Sequence, residues 1–277
     1  MRYMITDDHW ATLGPAVEQA KRHKCGAKPE LPDRSFFEAL LYWARTGIPW
    51  RDLPSEFGAW DAIYHRFRRW VASGSLAALF ARLTADPVFG GIRRVFIDST
   101  IIRAHQHAAG ARRKSKRLGA ARSAAAQGLG RSRGGFGSKV ILTASDEDTA
   151  IAVDVAPGQS GDAPLLRPML DRTLKRVPVI DELVGDKGFD GDALRSACLR
   201  RDVNPNIPLR ANRDQGRWAW DPIGYKERNR VERLIGKAKQ FRRFATRYEK
   251  LKATFLGVAH LALGFVRLKR TVIVNTA

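Results

Sequence analysis

Arg94-Val-Phe-Ile-Asp-Ser-Thr-Ile-Ile reads as a buried β-strand, because branched and aromatic side chains dominate it. Asp98 does not suit such surroundings. A buried carboxylate is costly unless a positive charge faces it. A metal ion would supply that charge; an aspartate capping the next turn is the plainer alternative.

Toward the C-terminus, Lys139-Val-Ile-Leu-Thr-Ala-Ser and Thr149-Ala-Ile-Ala-Val-Asp-Val-Ala flank Asp146-Glu-Asp and read as a hairpin. A helix is expected over residues 161–174, starting at Asp162, then a short strand at Glu182-Leu-Val-Gly and a helix over 192–200. Residues 203–209 read as a further strand, and Pro205 and Pro208 suit an edge. An irregular stretch with Trp218 and Trp220 follows, then a long basic helix over about 226–250 and a last helix over 251–269. Strands followed by alternating helices and strands predict an α/β domain with a mixed sheet.

Toward the N-terminus, residues 1–85 read as helical. Thr6-Asp-Asp-His looks like a cap, and Ser35-Phe-Phe-Glu-Ala-Leu-Leu-Tyr-Trp-Ala-Arg has helical apolar spacing. Gly47, Pro49 and Pro54 interrupt it. Residues 59–70 resume a helix whose Trp60, Ile63, Tyr64, Phe67 and Trp70 share a buried face, with His65, Arg66, Arg68 and Arg69 opposite. Helix, turn and basic helix suit a helix-turn-helix-like DNA-binding module; a helical bundle with solvated arginines is the alternative. The division expected is a helical domain over 1–88 and a catalytic domain over 89–277.

Residues 103–139 hold ten Lys or Arg and no acid, with no periodic apolar face. They read as a mobile basic loop that orders on a phosphate backbone, with Arg112, Arg113, Lys114, Arg131 and Arg133 as DNA contacts. A solvated linker is the alternative. The whole chain repeats this bias: 49 Lys and Arg against 28 Asp and Glu give +21, which calls for a polyanionic partner, most simply nucleic acid. Two cysteines, Cys25 and Cys198, make no disulfide framework or zinc site. The longest apolar run, residues 255–266, falls short of the ~20 residues that span a bilayer. A cytoplasmic, nucleoid-associated protein with no membrane partner is expected.

In so basic a chain, acids in apolar or basic settings are informative. Asp186 follows the strand Leu183-Val184, and strand ends are where open α/β sheets place ligands; Gly185 and Gly188 permit tight backbone around it. A turn aspartate is the alternative. Asp154 and Asp190 are rivals, the first explained by solvent exposure and the second by helix initiation. Glu232 lies in Tyr225-Lys-Glu-Arg-Asn-Arg-Val-Glu-Arg-Leu-Ile-Gly-Lys-Ala-Lys. On one helix Tyr225, Arg228, Glu232 and Lys239 share a face, while Val231, Leu234, Ile235, Ala238 and Phe241 form an apolar one. Arg228 and Lys239 would then flank the carboxylate for phosphates. A solvated i,i+4 pair of Arg228 with Glu232 is the alternative.

The spacing of Tyr225, Arg228, Glu232 and Lys239 resembles the Y-R-E-K signature of bacterial insertion-sequence transposases. Ile97-Asp98-Ser-Thr and Gly185-Asp186-Lys-Gly-Phe-Asp resemble that group's first and second aspartate motifs. Gly47-Ile-Pro-Trp-Arg-Asp-Leu-Pro, Arg66-Phe-Arg-Arg-Trp and Gly130-Arg-Ser-Arg-Gly-Gly-Phe-Gly-Ser-Lys resemble the insertion-sequence-five family. The resemblance implies an RNase H-like fold with Asp98, Asp186 and Glu232 as a catalytic, metal-holding triad.

The activity expected is cleavage at the ends of an insertion sequence, then attack of the freed 3′-hydroxyl on target DNA. Two Mg²⁺ ions, or Mn²⁺ in their place, would activate the attacking oxygen and stabilise the leaving one. Arg228, Lys239 and Lys187 would hold phosphates, and Tyr225 would position the backbone. Expected partners are the terminal inverted repeats, target DNA and further copies of the chain, as a dimer or larger assembly on DNA. Two alternatives stand: a DNA-binding regulator derived from such a protein with its chemistry lost, and a host nuclease of the same fold.

Overall fold

The computed structural model describes residues 4–22, 30–85, 91–109, 126–214, 216 and 218–275. Two compact units form: one from residues 1–84, 103–127 and 237–277, the other from 85–102 and 128–236.

The first unit is helical. Helix α1 (Asp7–Ala20) begins as its sequence suggests, with the Thr6 side chain accepting from the His9 N–H. Helix α2 (Asp33–Thr46) buries Phe36, Phe37, Leu40, Leu41 and Trp43 and ends at Gly47. Gly47 sits at φ +79°, and a Cβ there would also come within 2.9 Å of the Arg242 Cβ, so glycine is required twice over. Helices α3 (Trp60–Ala72) and α4 (Ser75–Leu83) complete the N-terminal set.

The second unit is built on a sheet. Strand β1 (Arg94–Ala104) holds Val95, Phe96 and Ile97 fully buried. Strands β2 (Gly130–Ser132), β3 (Gly135–Ala144), β4 (Ala150–Pro157), β5 (Glu182–Gly185) and β6 (Asn204–Asn206) assemble in the order β2-β3-β1-β5-β6, with β4 on β3. The β3–β4 pair is antiparallel, whereas β1–β5 and β5–β6 are parallel. This is a mixed sheet, as the order of elements predicts. Among the described residues strand β6 pairs only with β5, which is where Pro205 is tolerated. Helices α5 (Ala163–Leu174) and α6 (Asp192–Leu199) cover one face, where Ile97, Ile141, Leu166, Met169, Leu183 and Phe189 share a core. A one-turn helix α7 (Pro222–Tyr225) and a 3₁₀ turn over Lys226–Arg228 lead into α8 (Asn229–Lys239).

Two expectations need correction. The long helix over 226–250 stops at Lys239. Phe241 leaves helical geometry at ψ 108°, is 2% exposed, and is followed by the turn α9 (Arg242–Ala245) and strand β7 (Thr246–Arg247). Pairing of Thr246 and Arg247 with Arg103 and Ala104 takes the backbone bonds that a continuing helix would have used. The basic run 103–139 is likewise not one loop. Its end forms the β2–β3 hairpin, with Arg131 opposite Phe136 and Gly135 at φ +101°. Arg112, Arg113 and Lys114 lie outside the described residues. Helix α10 (Lys252–Asn275) closes the chain in the helical unit. No helix among the described residues is long and apolar enough to cross a membrane.

Candidate active site

Parallel pairing sets Ile97 opposite Gly185. The next residue on each chain segment is an aspartate, so Asp98, midway along β1, and Asp186, just past the end of β5, stand side by side, with backbones ~5 Å apart as in any sheet. Gly185 is required for this closeness, because a Cβ there would meet Ile97 Cγ2 at 2.9 Å. Asp98 Oδ1 accepts from the Ser99 N–H at 2.8 Å, and Asp186 Oδ1 from the Gly188 N–H at 2.8 Å.

Helix α8 brings the third acid. Arg228 pairs with Glu232 one turn on, and its Nη1 lies 3.5 Å from Asp98 Oδ2. The Asp98 side chain is 15% exposed and that of Glu232 is 50% exposed. Tyr225 lies on the same side, its ring 5.7 Å from the Arg228 guanidinium. Tyr225 and Arg228 sit in the short α and 3₁₀ turns that run directly into α8.

The electrostatics fit a cation-seeking site. Burial pushes the Asp98 carboxyl up to about 6; the Ser99 N–H and Arg228 oppose this, and the charges of Asp186 and Glu232 add to it. Burial works against the Arg228 charge, but Asp98, Tyr225, Glu232 and Asp186 outweigh it and raise its pKa. Among the described residues no three His, Cys, Asp or Glu side chains converge tightly enough to grip an ion as they stand, and a guanidinium bridges two of the acids instead. The donors are all carboxylate oxygens under mutual repulsion, the set that a hard divalent cation such as Mg²⁺ takes.

The other expected contacts separate. Lys187 is exposed beside Asp186, and Lys239 is exposed at the last residue of α8, in the other unit. Arg131 and Arg133 are exposed on the β2–β3 hairpin. Arg68 and Arg69 are exposed and line a groove with His65, Val71, Leu251 and Thr254. Arg66 does not face outward with them. It is 6% exposed, pairs with Asp33, donates to the Leu31 carbonyl at 2.7 Å and covers the Phe36 ring at 4.3 Å. Position 66 is one turn from both Ile63 and Trp70 and so belongs to the buried face.

Of the rivals, Asp154 pairs with Arg172 at 3.0 Å. Asp190 does not start a helix: it is buried against the fully buried Arg195 at 3.0 Å and accepts from the Arg210 N–H at 3.0 Å. Arg195 also donates to the carbonyls of Pro205 and Ile207, while Arg210 donates to those of Lys187 and Gly188. Together they clamp the loop that carries Asp186. Two residues beside the acids escaped the sequence reading, Asp162 and Lys139. Lysine in an otherwise apolar strand, two residues before Ile141, was the available signal, since a buried ammonium needs a counter-ion.

Residues 5–80 match the family model described as "Putative transposase of IS4/5 family". Residues 89–264, more than half of the chain, match the model described as "Transposase DDE domain". An uncharacterized protein, y4sN, of Sinorhizobium fredii is 41% identical over 109 residues, covering 39% of this chain and 83% of that protein. A protein of Brucella ovis described as "Putative transposase for insertion sequence element IS6501" is 31% identical over 120 residues, covering 43% of this chain and 88% of that one. Among solved structures, a piggyBac transposase synaptic complex with hairpin DNA is similar at a TM-score of 0.38 and 11% identity, covering 76% of this chain and 49% of that chain. This chain thus spans about half the length of that transposase.

Proposed function

The chain belongs to the transposase DDE domain family, and from that premise we propose that it cuts the ends of an insertion sequence and joins the freed 3′-hydroxyls to target DNA, with Asp98, Asp186 and Glu232 as its catalytic acids. The observation that carries this reading is the meeting of Asp98 and Asp186 on neighbouring parallel strands, with Arg228 held between Asp98 and Glu232. The family uses divalent metal, and two bound Mg²⁺ or Mn²⁺ ions would supply Lewis acidity at the attacking and the leaving oxygen.

The chain's own residues do the rest. Asp98 offers oxygens from within β1, Asp186 from the turn that follows β5, and Glu232 from α8. Arg228 neutralises the acids before DNA arrives. A scissile phosphate brings negative charge of its own, so the guanidinium can turn from Glu232 to a phosphate oxygen. Lys187, beside Asp186, and Lys239 are placed in exposed positions suited to phosphates. Tyr225 stacks on the Arg228 guanidinium and limits where it can swing.

Affinity for the terminal inverted repeats and the target comes from the exposed Arg68 and Arg69 and from Arg131 and Arg133; Arg112, Arg113 and Lys114, which lie outside the described residues, belong to the same reading. Two DNA ends must be joined, so the acting species is a dimer or larger assembly. The test is Glu232→Gln: the variant is expected to bind end DNA as the parent does and not to cut it in Mg²⁺. Cleavage at the parental rate would overturn the triad, and cutting without joined products in the parent would leave a nuclease.

A further inference from the structure

Asp162 precedes α5 yet caps nothing there. Its Oδ1 accepts instead from Ser99 Oγ at 2.5 Å and from Lys139 Nζ at 2.8 Å. The Lys139 side chain is 9% exposed, so the pair is largely withdrawn from water. Asp162 Oδ2 reaches toward Gly188. A Cβ on Gly188 would lie 2.8 Å from Asp186 Oδ1 and 3.1 Å from Asp162 Oδ2, so the two carboxylates close on one spot. Ser99 follows Asp98 directly, and its N–H donates to Asp98 Oδ1. Strand alternation puts Ser99 with Ile97 on the α5 face, and Asp98 with Phe96 on the face where Arg230 of α8 lies 5.9 Å from the Phe96 ring.

We propose that Asp162, with Lys139 as its counter-ion, is a positioning residue that fixes the spacing of Asp98 and Asp186 from the sheet face opposite Glu232. Two carboxylates that are to share cations repel each other until the cations arrive, so each needs a tether. Ser99 tethers β1 beside Asp98, and the crowded Gly188 turn confines Asp186. Lys139 cancels the Asp162 charge, which would otherwise add a further repulsion beside Asp186. Partners that orient metal ligands in this way change metal affinity by about 10–100-fold when removed. The inference rests on Asp98, Asp186 and Glu232 being the cation-holding acids.

The test is Mn²⁺ titration of the full-length chain, with bound ion read from the loss of the free-ion electron paramagnetic resonance signal. Asp98→Asn sets the floor; a parent that binds no better than this variant overturns the triad and the inference together. With binding in the parent, Asp162→Ala and Ser99→Ala are each expected to weaken it about tenfold. Asp162→Asn keeps an acceptor for both Ser99 and Lys139 and is expected to restore most of the affinity. Parental affinity in Asp162→Ala and Ser99→Ala overturns the inference alone. So does an Asn variant as weak as the Ala variant, because charge rather than positioning would then be at work. Should Asp162→Ala fail to fold, Ser99→Ala and Asp162→Asn carry the same comparison.

Discussion

Burial, with Asp186 and Glu232 nearby, holds the Asp98 carboxyl at about 6 against an ordinary 3.8. An acid raised in this way is penalised for ionising in the fold. The penalty is complete above pH 6 and fades as pH falls toward the unfolded value. Asp98→Asn is therefore expected to stabilise the metal-free protein by about 3 kcal/mol at pH 8 and by about half of that at pH 5. Urea midpoints at the two pH values check this, and a variant less stable than the parent at pH 8 would remove burial as the dominant cause. Asp190 runs the other way. Its removal strands the fully buried Arg195, so Asp190→Ala is expected to cost about 3–5 kcal/mol in the same assay, and a change under 1 kcal/mol would show that Arg195 finds other partners. The two aspartates also differ in how legible they were. Asp98 stood out as a charge in an apolar strand, and Glu232 through its spacing from Tyr225 and Arg228. Asp190, Asp162 and Arg195 looked like ordinary turn and helix residues, because their partners lie across the fold, where local pattern carries no information.

Helix periodicity located most of the elements correctly, and its failures have a physical pattern. The apolar face of α8 is buried at Val231, Leu234, Ile235 and Ala238, as the spacing demands. The break after Lys239 was illegible, because the competing structure is a strand pairing with residues 103–104, far away in sequence. In α3 an outward-facing Arg66 was expected, yet the buried face is broad enough to take in its guanidinium, with Asp33 and Phe36 as partners. The two kinds of arginine on this helix should therefore respond differently. Arg68→Ala with Arg69→Ala is expected to lower the salt dependence of DNA binding by about two ions, with the melting temperature unchanged. Arg66→Ala is expected to cost about 3 kcal/mol of stability instead. Fluorescence anisotropy over a salt series and thermal melts of both variants decide it; an unchanged salt slope in the double variant would remove α3 from the DNA surface.

At the scale of the molecule, the charge of +21 calls for a polyanionic partner, and the order of strands and helices predicts the mixed sheet that is found. Composition and order do not show which distant pieces pack together. The helical unit is drawn from both ends of the chain, residues 1–84 and 237–277, with residues 103–127 between them in sequence. Leu13, Phe37, Leu41, Leu76 and Phe80 surround one small cavity together with Leu261, Phe265 and Leu268 of α10. Val258, Ala259, Ala262 and Leu263 are wholly buried as well, so α10 is covered nearly all round, as a central rather than a surface helix should be. Each large apolar side chain left exposed forfeits roughly 1.5–3 kcal/mol, and five of them, even partly uncovered, approach the ~5–15 kcal/mol that holds a domain together. A fragment of residues 1–88 expressed alone is thus expected to lack a cooperative thermal transition by circular dichroism, and to gain one when residues 237–277 are supplied as a second chain. A sharp melt in the fragment by itself would show that the N-terminal helices close their own core, and that α10 is an addition to it rather than a part.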